Sequence, residues 1–514
     1  MSVQNIKRVA VIGAGISGVS SAAHLLKYGL DVVLFERSNI EGGVWHFDPR
    51  SAVDPSYPNE KPSAGDYETV PESVYGTPPP EADAENGSDL EIAHAPPGPC
   101  YAGLMNNVST RLMRTSLAAW PPGTEDFVSQ QVLEEYIQAI SKAHGVSAIT
   151  QYNTRVEEVR KRGASWDVRT TTLEKTAAGS RLIERRWKFD AVVVASGHYH
   201  APRVPDIPGL KELKEARPDR VWHSKRYRDP TQFKDKTVLL IGAGVSSSDI
   251  AKEGSRYAKH IFQSSRGGVL DLPASLLPEG ATRIRGIESF NLDPAPTGAD
   301  TDTSKTDGVL PASVTLNDGR RLCGIDFVIL CTGYMISYPF LRYLHSDTTP
   351  ADLADDTVLV TADGDMAHNL HKDMFYIPDP TLVFVGAPYH IATFSFFDFQ
   401  AQAVARVLAG KARLPSGEAM RDEYRRRVAE KGRGRDFHSL RGSGDEEAYV
   451  QELVRWMNEG AAQSGLEPML GHTDEWHEAN LDRLEKIAWI RATTGKERQE
   501  GKYDGQEVLP FALC

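Results

Sequence analysis

Two stretches of this sequence have residue types and spacing suited to holding a dinucleotide. In VIGAGISGVSSAA, residues 11–23, Gly13, Gly15 and Gly18 form a Gly-x-Gly-x-x-Gly pattern directly after an apolar run. The first glycine allows a tight turn, the second lets backbone approach a pyrophosphate, and the third lets a helix pack closely on its strand. The diphosphate then rests on unpaired N–H groups at the positive end of that helix. Glu36 ends the next apolar run, where a carboxylate accepts from an adenosine ribose hydroxyl.

The second stretch, IGAGVSSSDIA at 241–251, keeps Gly242 and Gly244 but has Ser247 at the third position. This predicts a slightly more open strand–helix contact, with the Ser246 and Ser247 hydroxyls near phosphate oxygens. Its next strand ends in SSRGG, placing Arg266 where the first cradle has a carboxylate. A guanidinium there forks onto a 2′-phosphate, which points to NADPH. An arginine facing water at a strand end is the plainer alternative. After Glu36 the chain reads GGVW, and Gly43, Val44 and Trp45 let backbone and an aromatic wall approach the first ligand. Trp45 alone suits a core equally well. With the cradle it favours FAD, so one site holds a flavin and the other delivers a nicotinamide to reduce it.

Particular elements must position these residues. Arg8–Ile12 reads as a buried parallel strand, Ile16, Val19, Ala22, Ala23 and Leu26 recur at helical spacing, and 31–36 is the second strand. FDAVVVASG (189–197) and IDFVILCTGY (325–334) are further buried strands that bracket the second unit, 236–266. The predicted fold is α/β, with two nested Rossmann-like dinucleotide-binding domains. An FAD domain spans 1–200 and resumes at 331–514 with a C-terminal helical extension, and an NADPH domain, 201–330, is inserted in it. Residues 48–98, rich in Pro, Gly, Ser and acid, are expected to be an irregular, solvated surface insertion. Helical patterns at 446–460 and 474–492 are expected to pack outside the first domain and close its groove.

A formal net charge of −12 over 514 residues gives no global positive field, so neither nucleic acid nor an anionic membrane is an expected partner. Cys100, Cys323, Cys331 and Cys514 form no CxxC pair and no zinc spacing, so no metal site is expected. They fit a reduced, cytoplasmic protein. No apolar run approaches the length of a membrane span. The absence of a redox CxxC or CxxxxC also argues against a pyridine-nucleotide disulfide reductase.

The motifs GAGISG (13–18), GGVW (42–45), YAGLMNN (101–107), ASGHY (195–199), PDIPG (205–209), HSKRY (223–227), KTVLLIGAGVSSSDIA (236–251), SSR (264–266), CTGY (331–334) and FQAQAVARVLAGKARLP (399–415) follow in order. Together, from Arg8 to about Pro415, the chain resembles the flavin-containing monooxygenases, class B flavoprotein enzymes, in their soluble fungal form. The family motif FxGxxxHxxxY is met at His223 and Tyr227, while Arg217 and Asp219 replace its Phe and Gly. Tyr227 differs from the Trp-Pro of Baeyer–Villiger enzymes.

The resemblance implies that Asn107 is an active-site asparagine touching flavin and nicotinamide, and that Tyr101 and Gln400 line the cofactors. Read from its own neighbours, Asn107 suits an Asx-turn or helix cap equally well. The implied activity is of the N,N-dimethylaniline monooxygenase type: NADPH reduces FAD, O2 gives a C4a-hydroperoxide, and an amine, sulfide or thiol of a small molecule takes an oxygen. Ketone oxygenation of the Baeyer–Villiger kind and a non-catalytic dinucleotide-binding role stay open, as does a homo-oligomeric state. His390, Phe394, Phe396 and Phe397 are candidates for a substrate cavity or for core.

Overall fold

The apolar run Arg8–Ile12 forms strand β1, buried from Val9 onward, as a parallel strand covered on both faces must be. This is seen in a computed structural model of the protein, which describes residues 5–69, 87–177, 179–268, 270–292, 309–459, 461 and 465–499. The chain turns at Gly13 into helix α1 (Ile16–Lys27), and β2 (Asp31–Phe35) returns parallel to β1. Helix α2 (Gln130–Ala143) turns Leu133, Ile137 and Ile140 into the core that α1 shares. Strand β3 (Ala191–Val194) pairs with the other edge of β1.

The same plan then repeats. Strand β4 (Thr237–Ile241), helix α3 (Val245–Gly254) and strands β5 (His260–Ser265) and β6 (Phe327–Leu330) form a second parallel unit, with β4 between β5 and β6. Its sheet has five strands, completed by Ala281–Arg285 and Val221–His223. The chain rejoins the first sheet at β7 (Leu382–Phe384), which pairs parallel with β3. That sheet has seven strands, ordered Leu370–His371, Phe375–Tyr376, β7, β3, β1, β2 and Thr150–Gln151. One α/β unit is therefore nested in another, and the two crossings run side by side where Ala201–Pro202 pairs antiparallel with Tyr334–Met335.

Helix α4 (Thr393–Leu408) packs across α1 and is buried almost all round. The opposite face of the first sheet is covered by an antiparallel ribbon of Thr154–Arg162, Ser165–Thr176 and Gly179–Phe189, through Val156, Val159, Trp166 and Phe189. Two later helices, α5 (Asp445–Asn458) and α6 (Asp474–Gln499), join the two units. In α6, Arg483 pairs with Glu446 of α5 at 2.7 Å. Farther along, the buried Glu497 accepts from the backbone N–H groups of Ala274 and Ser275, in the second unit, at 2.7 and 3.0 Å.

No described helix is long and apolar enough to cross a membrane. Among the described residues no group of His, Cys, Asp and Glu could hold a metal ion. Cys100 and Cys331 are free thiols, but Cys323, expected to be reduced, is disulfide-bonded.

Candidate active site

Both cradles open into one cleft of about 2120 Å³. A single drug-sized ligand fills roughly 300–1,000 Å³, so this space suits more than one ligand. In the first cradle Gly13 has φ +99°, and a Cβ there would lie 2.8 Å from the Ala195 carbonyl oxygen. A Cβ on Gly18 would fall 1.8 Å from the Gly13 oxygen, so that glycine serves packing and does not line the cleft. Gly43 passes over Gly15 so closely that its Cβ would lie 2.8 Å from the Gly15 Cα. GGVW thus closes the cradle at backbone distance, with Val44 and Trp45 on the cleft wall. The Trp45 ring also meets Phe394 edge-on at 6.4 Å, making it both wall and core. Glu36 lines the cleft and accepts from the N–H of Ala14 at 2.7 Å and of Ser38 at 2.8 Å. It therefore ties the glycine turn to the end of β2 besides facing the ligand space.

In the second cradle Gly242 has φ +114°, and its Cβ would meet the Cys331 oxygen at 2.4 Å, whereas a Cβ on Gly244 would meet nothing within 4 Å. Ser246 and the exposed Arg266 line the cleft. Ser247 does not. It is fully buried, donating to the Gly244 oxygen at 3.0 Å and accepting from Gln263 Nε2 at 2.9 Å. The expected second phosphate-facing hydroxyl is thus a packing group, because the third motif position points at the strand and not at the ligand.

The loop bearing Asn107 is fastened to the second unit. Tyr101 lines the cleft and its hydroxyl donates to Asp249 of α3 at 2.9 Å, while Ala102 N–H donates to the Arg228 oxygen at 3.0 Å. Beside it Tyr227 donates to Glu253, also on α3, at 2.6 Å. Burial pushes both carboxyls, Asp249 and Glu253, up. The turn role considered for Asn107 belongs to Asn106, whose side chain bonds Val108, Asp126 and Val128 backbone at 2.8, 2.8 and 2.6 Å. Asn107 is exposed to the cleft, and its amide makes no hydrogen bond among the described residues.

Gln400, expected to line the cofactors, is fully buried outside the cleft. It accepts from Gly386 N–H at 3.1 Å and donates to Tyr449 at 3.2 Å, positioning Gly386, which does line the cleft. Of the aromatic candidates, His390 and Phe397 reach the cleft, while Phe394 and Phe396 are core. Despite the replacements at Arg217 and Asp219, His223 still bridges the crossings, its Nε2 lying 3.1 Å from the Gly333 oxygen. The substituted pair make their own contact at 3.7 Å.

Some site residues were not anticipated. The buried Asp66 accepts from both terminal nitrogens of Arg37 at 3.1 Å and from Lys225 at 2.9 Å. Burial alone would raise its carboxyl, but Arg37 and Lys225 hold it well below the usual carboxylate range. Lys225, buried and sharing that one anion with Arg37, is pushed down. The described part of 48–98 is thus no solvated excursion: it carries this cluster and a helix, Gly87–His94. Ser196 Oγ and His198 Nε2 are buried, face the cleft and have no hydrogen-bond partner among the described residues.

The sequence profile described as Flavin-binding monooxygenase-like matches residues 94–274 and 301–471, and that of the FAD dependent oxidoreductases matches 8–47. A relative named flavin-containing monooxygenase ustF2, from Aspergillus flavus, is 44% identical over 492 residues, 92% of this chain and 96% of the relative. This chain belongs to the flavin-containing monooxygenases.

The monooxygenase fold also matches that of S-allyl-L-cysteine S-oxygenase from Allium sativum, with a TM-score of 0.63 and 23% identity, over 96% of this chain and 98% of that one. Cyclohexanone monooxygenase bound to epsilon-caprolactone matches at a TM-score of 0.51 and 12% identity, over 90% and 99%. The monooxygenase uses FAD and NADPH. Its residues fit both: Ser196 Oγ and His198 Nε2, without a hydrogen-bond partner among the described residues, beside a closed glycine cradle, and open space at Gly244 with Arg266 on the wall of the same cleft.

Proposed function

We propose that this enzyme oxygenates a soft nucleophile, an amine, sulfide or thiol of a small molecule, using NADPH and O2. The observation that carries this reading is the placement of Asn107, with an unengaged amide, on a loop that Tyr101 fastens to α3 of the second cradle. When bound, the cofactors supply hydride transfer to flavin and its reaction with O2.

The protein's part is positioning and exclusion of water. Gly13, Gly15, Gly43 and Glu36 would hold FAD, with Ser196 Oγ donating to its polar atoms and His198 Nε2, whose Nδ1–H is given to the Gly386 oxygen, accepting from them. Gly242, Gly244 and Ser246 would hold the NADPH diphosphate, and Arg266 its 2′-phosphate. The Asn107 amide would hydrogen-bond at the meeting point of the two ligands and keep water from the reacting oxygen. No carboxylate pair or nucleophile triad is required, because the nucleophile attacks oxygen with its own lone pair.

The test is NADPH consumption by holoprotein against a panel of amines, sulfides, thiols and ketones, with products identified by mass. The reading expects a nitrogen- or sulfur-oxygenated product. Esters from ketones alone, or only H2O2 across the panel, would refute it.

A further inference from the structure

One part of the cleft wall belongs to neither cradle. It comes from the segment 435–442 and from α6, and Arg435, Arg441, Arg483 and Arg491 all line it. Arg441 pairs with Asp436 at 3.0 Å and Arg483 with Glu446 at 2.7 Å. Arg435 and Arg491 are exposed to the cleft, and among the described residues no carboxylate lies within ion-pair reach of either. Arg491 donates to the backbone oxygen of Arg441, which ties α6 to the segment. Arg435 reaches the crossing, its Nη2 lying 3.4 Å from where a Gly333 Cβ would be.

These groups gather around His390. Arg483 donates to its backbone oxygen at 3.4 Å, and burial, then Arg441 and Arg435, push its imidazole down to about 4. His390 is therefore neutral near pH 7 and adds no charge. The wall carries an excess of positive charge in a chain whose net charge is −12. Beside the arginines lie Leu484, Ile487 and Ile490 of the same helix. Guanidinium groups converging on a concavity attract anions and fork onto planar carboxylates. The coenzyme phosphates have their own sites at the two glycine turns and at Arg266.

We propose that this wall receives the substrate, and that the substrate carries a carboxylate, held by Arg435 and Arg491, on an apolar body lying against Leu484, Ile487 and Ile490. The assignment rests on the oxygenation reading for what happens next, but its recognition step is separable.

Hydrocinnamate and its amide are matched probes that differ only in the charged group. Each is titrated into FAD-loaded enzyme with NADP+ present, following the change in flavin absorbance. The acid is expected to bind about tenfold or more tightly than the amide, as a charge-assisted pair gives. Arg435→Gln and Arg491→Gln should each erode that preference, and the double variant should abolish it, with NADPH KM held within about twofold. Acid no tighter than amide, no binding of the acid, or a raised NADPH KM with acid binding unchanged would each overturn the assignment. Turnover of S-benzyl-N-acetylcysteine is the separate arm: if the acid is bound as expected but no sulfoxide forms, the oxygenation reading fails and carboxylate recognition stands.

Discussion

The two cradles share one topology and differ in how they are closed. In the first, Gly43 lies on Gly15, Gly18 has no room for a side chain, and Asp66 locks the Arg37 that follows Glu36. In the second, Gly244 opens on empty space, the third position accepts a buried serine, and Arg266 is exposed. A cofactor retained through every cycle needs the first arrangement, and a coenzyme that arrives and departs needs the second. The contrast lies in packing around the motif more than in the motif itself.

The sharpest way to break the comparison is to exchange the third positions. Gly18→Ser would set a Cβ 1.8 Å from the Gly13 oxygen, which is backbone and cannot step aside. Overpacking typically costs about 1–3 kcal/mol and more where backbone must move. The variant is expected to purify with little or no flavin, measured as flavin absorbance per protein. Ser247→Gly, by contrast, leaves Gln263 short of one hydrogen-bond acceptor and should lower the melting temperature by only a few degrees. Full flavin in Gly18→Ser would remove the claim that the first turn has no slack.

Next in size is the lock on the closed cradle. Asp66→Asn leaves Arg37 and Lys225 facing each other without their shared anion, and breaking a buried pair costs about 3–5 kcal/mol. Asp66 is depressed in the folded state, so its contribution is present above the unfolded carboxylate pKa of about 4 and is lost as pH falls below that. Urea midpoints of wild type and variant should differ most near pH 7 and converge as pH drops through the acid range. A gap that stays constant with pH would show that the cluster is not held by the ionised carboxylate.

On the open cradle, Arg266→Ala should raise the KM for NADPH about tenfold and leave that for NADH nearly unchanged. That is the low end for a charge-assisted pair, because the side chain is exposed. An unchanged NADPH:NADH ratio would place 2′-phosphate recognition on another residue.

What the sequence made legible follows from the range of each signal. Strand, glycine turn and helix are adjacent in the chain, so both cradles, the nesting and the place of Arg266 directly after β5 could be read directly. Side-chain direction within a motif could not: Ser247 and Gln400 occupy the expected positions but point into packing. Gln400 sits on α4, which is buried nearly all round, so no apolar stripe marks which face meets the cleft. Contacts between distant segments were also invisible. Asp66 meets residues 29 and 159 positions away, and the arginine wall assembles from segments with no local pattern in common. The strands Thr154–Arg162, Ser165–Thr176 and Gly179–Phe189 are rich in charged and polar residues and hold no continuous apolar run, so the antiparallel ribbon has no strong local signal.

The smallest expected change in binding belongs to Asn107, which neither cradle owns. If the two cradles only hold ligands, an added residue must govern what happens where the ligands meet, and the proposal gives that part to Asn107, which lines the cleft with its amide unengaged among the described residues. Asn106 already holds the turn, so Asn107→Ala should leave the loop folded. FAD content and anaerobic reduction by NADPH should stay within a few-fold of wild type, the scale of one hydrogen bond. Water would gain entry where the amide stood. Product per NADPH should then fall, with H2O2 rising to match, measured together in one reaction. Tyr101→Phe should move the same ratio in the same direction, since it frees the loop from Asp249 without touching the amide. Equal coupling in Asn107→Ala and wild type would mean that the meeting point is governed elsewhere, and that the contrast between cradles is all the site contains.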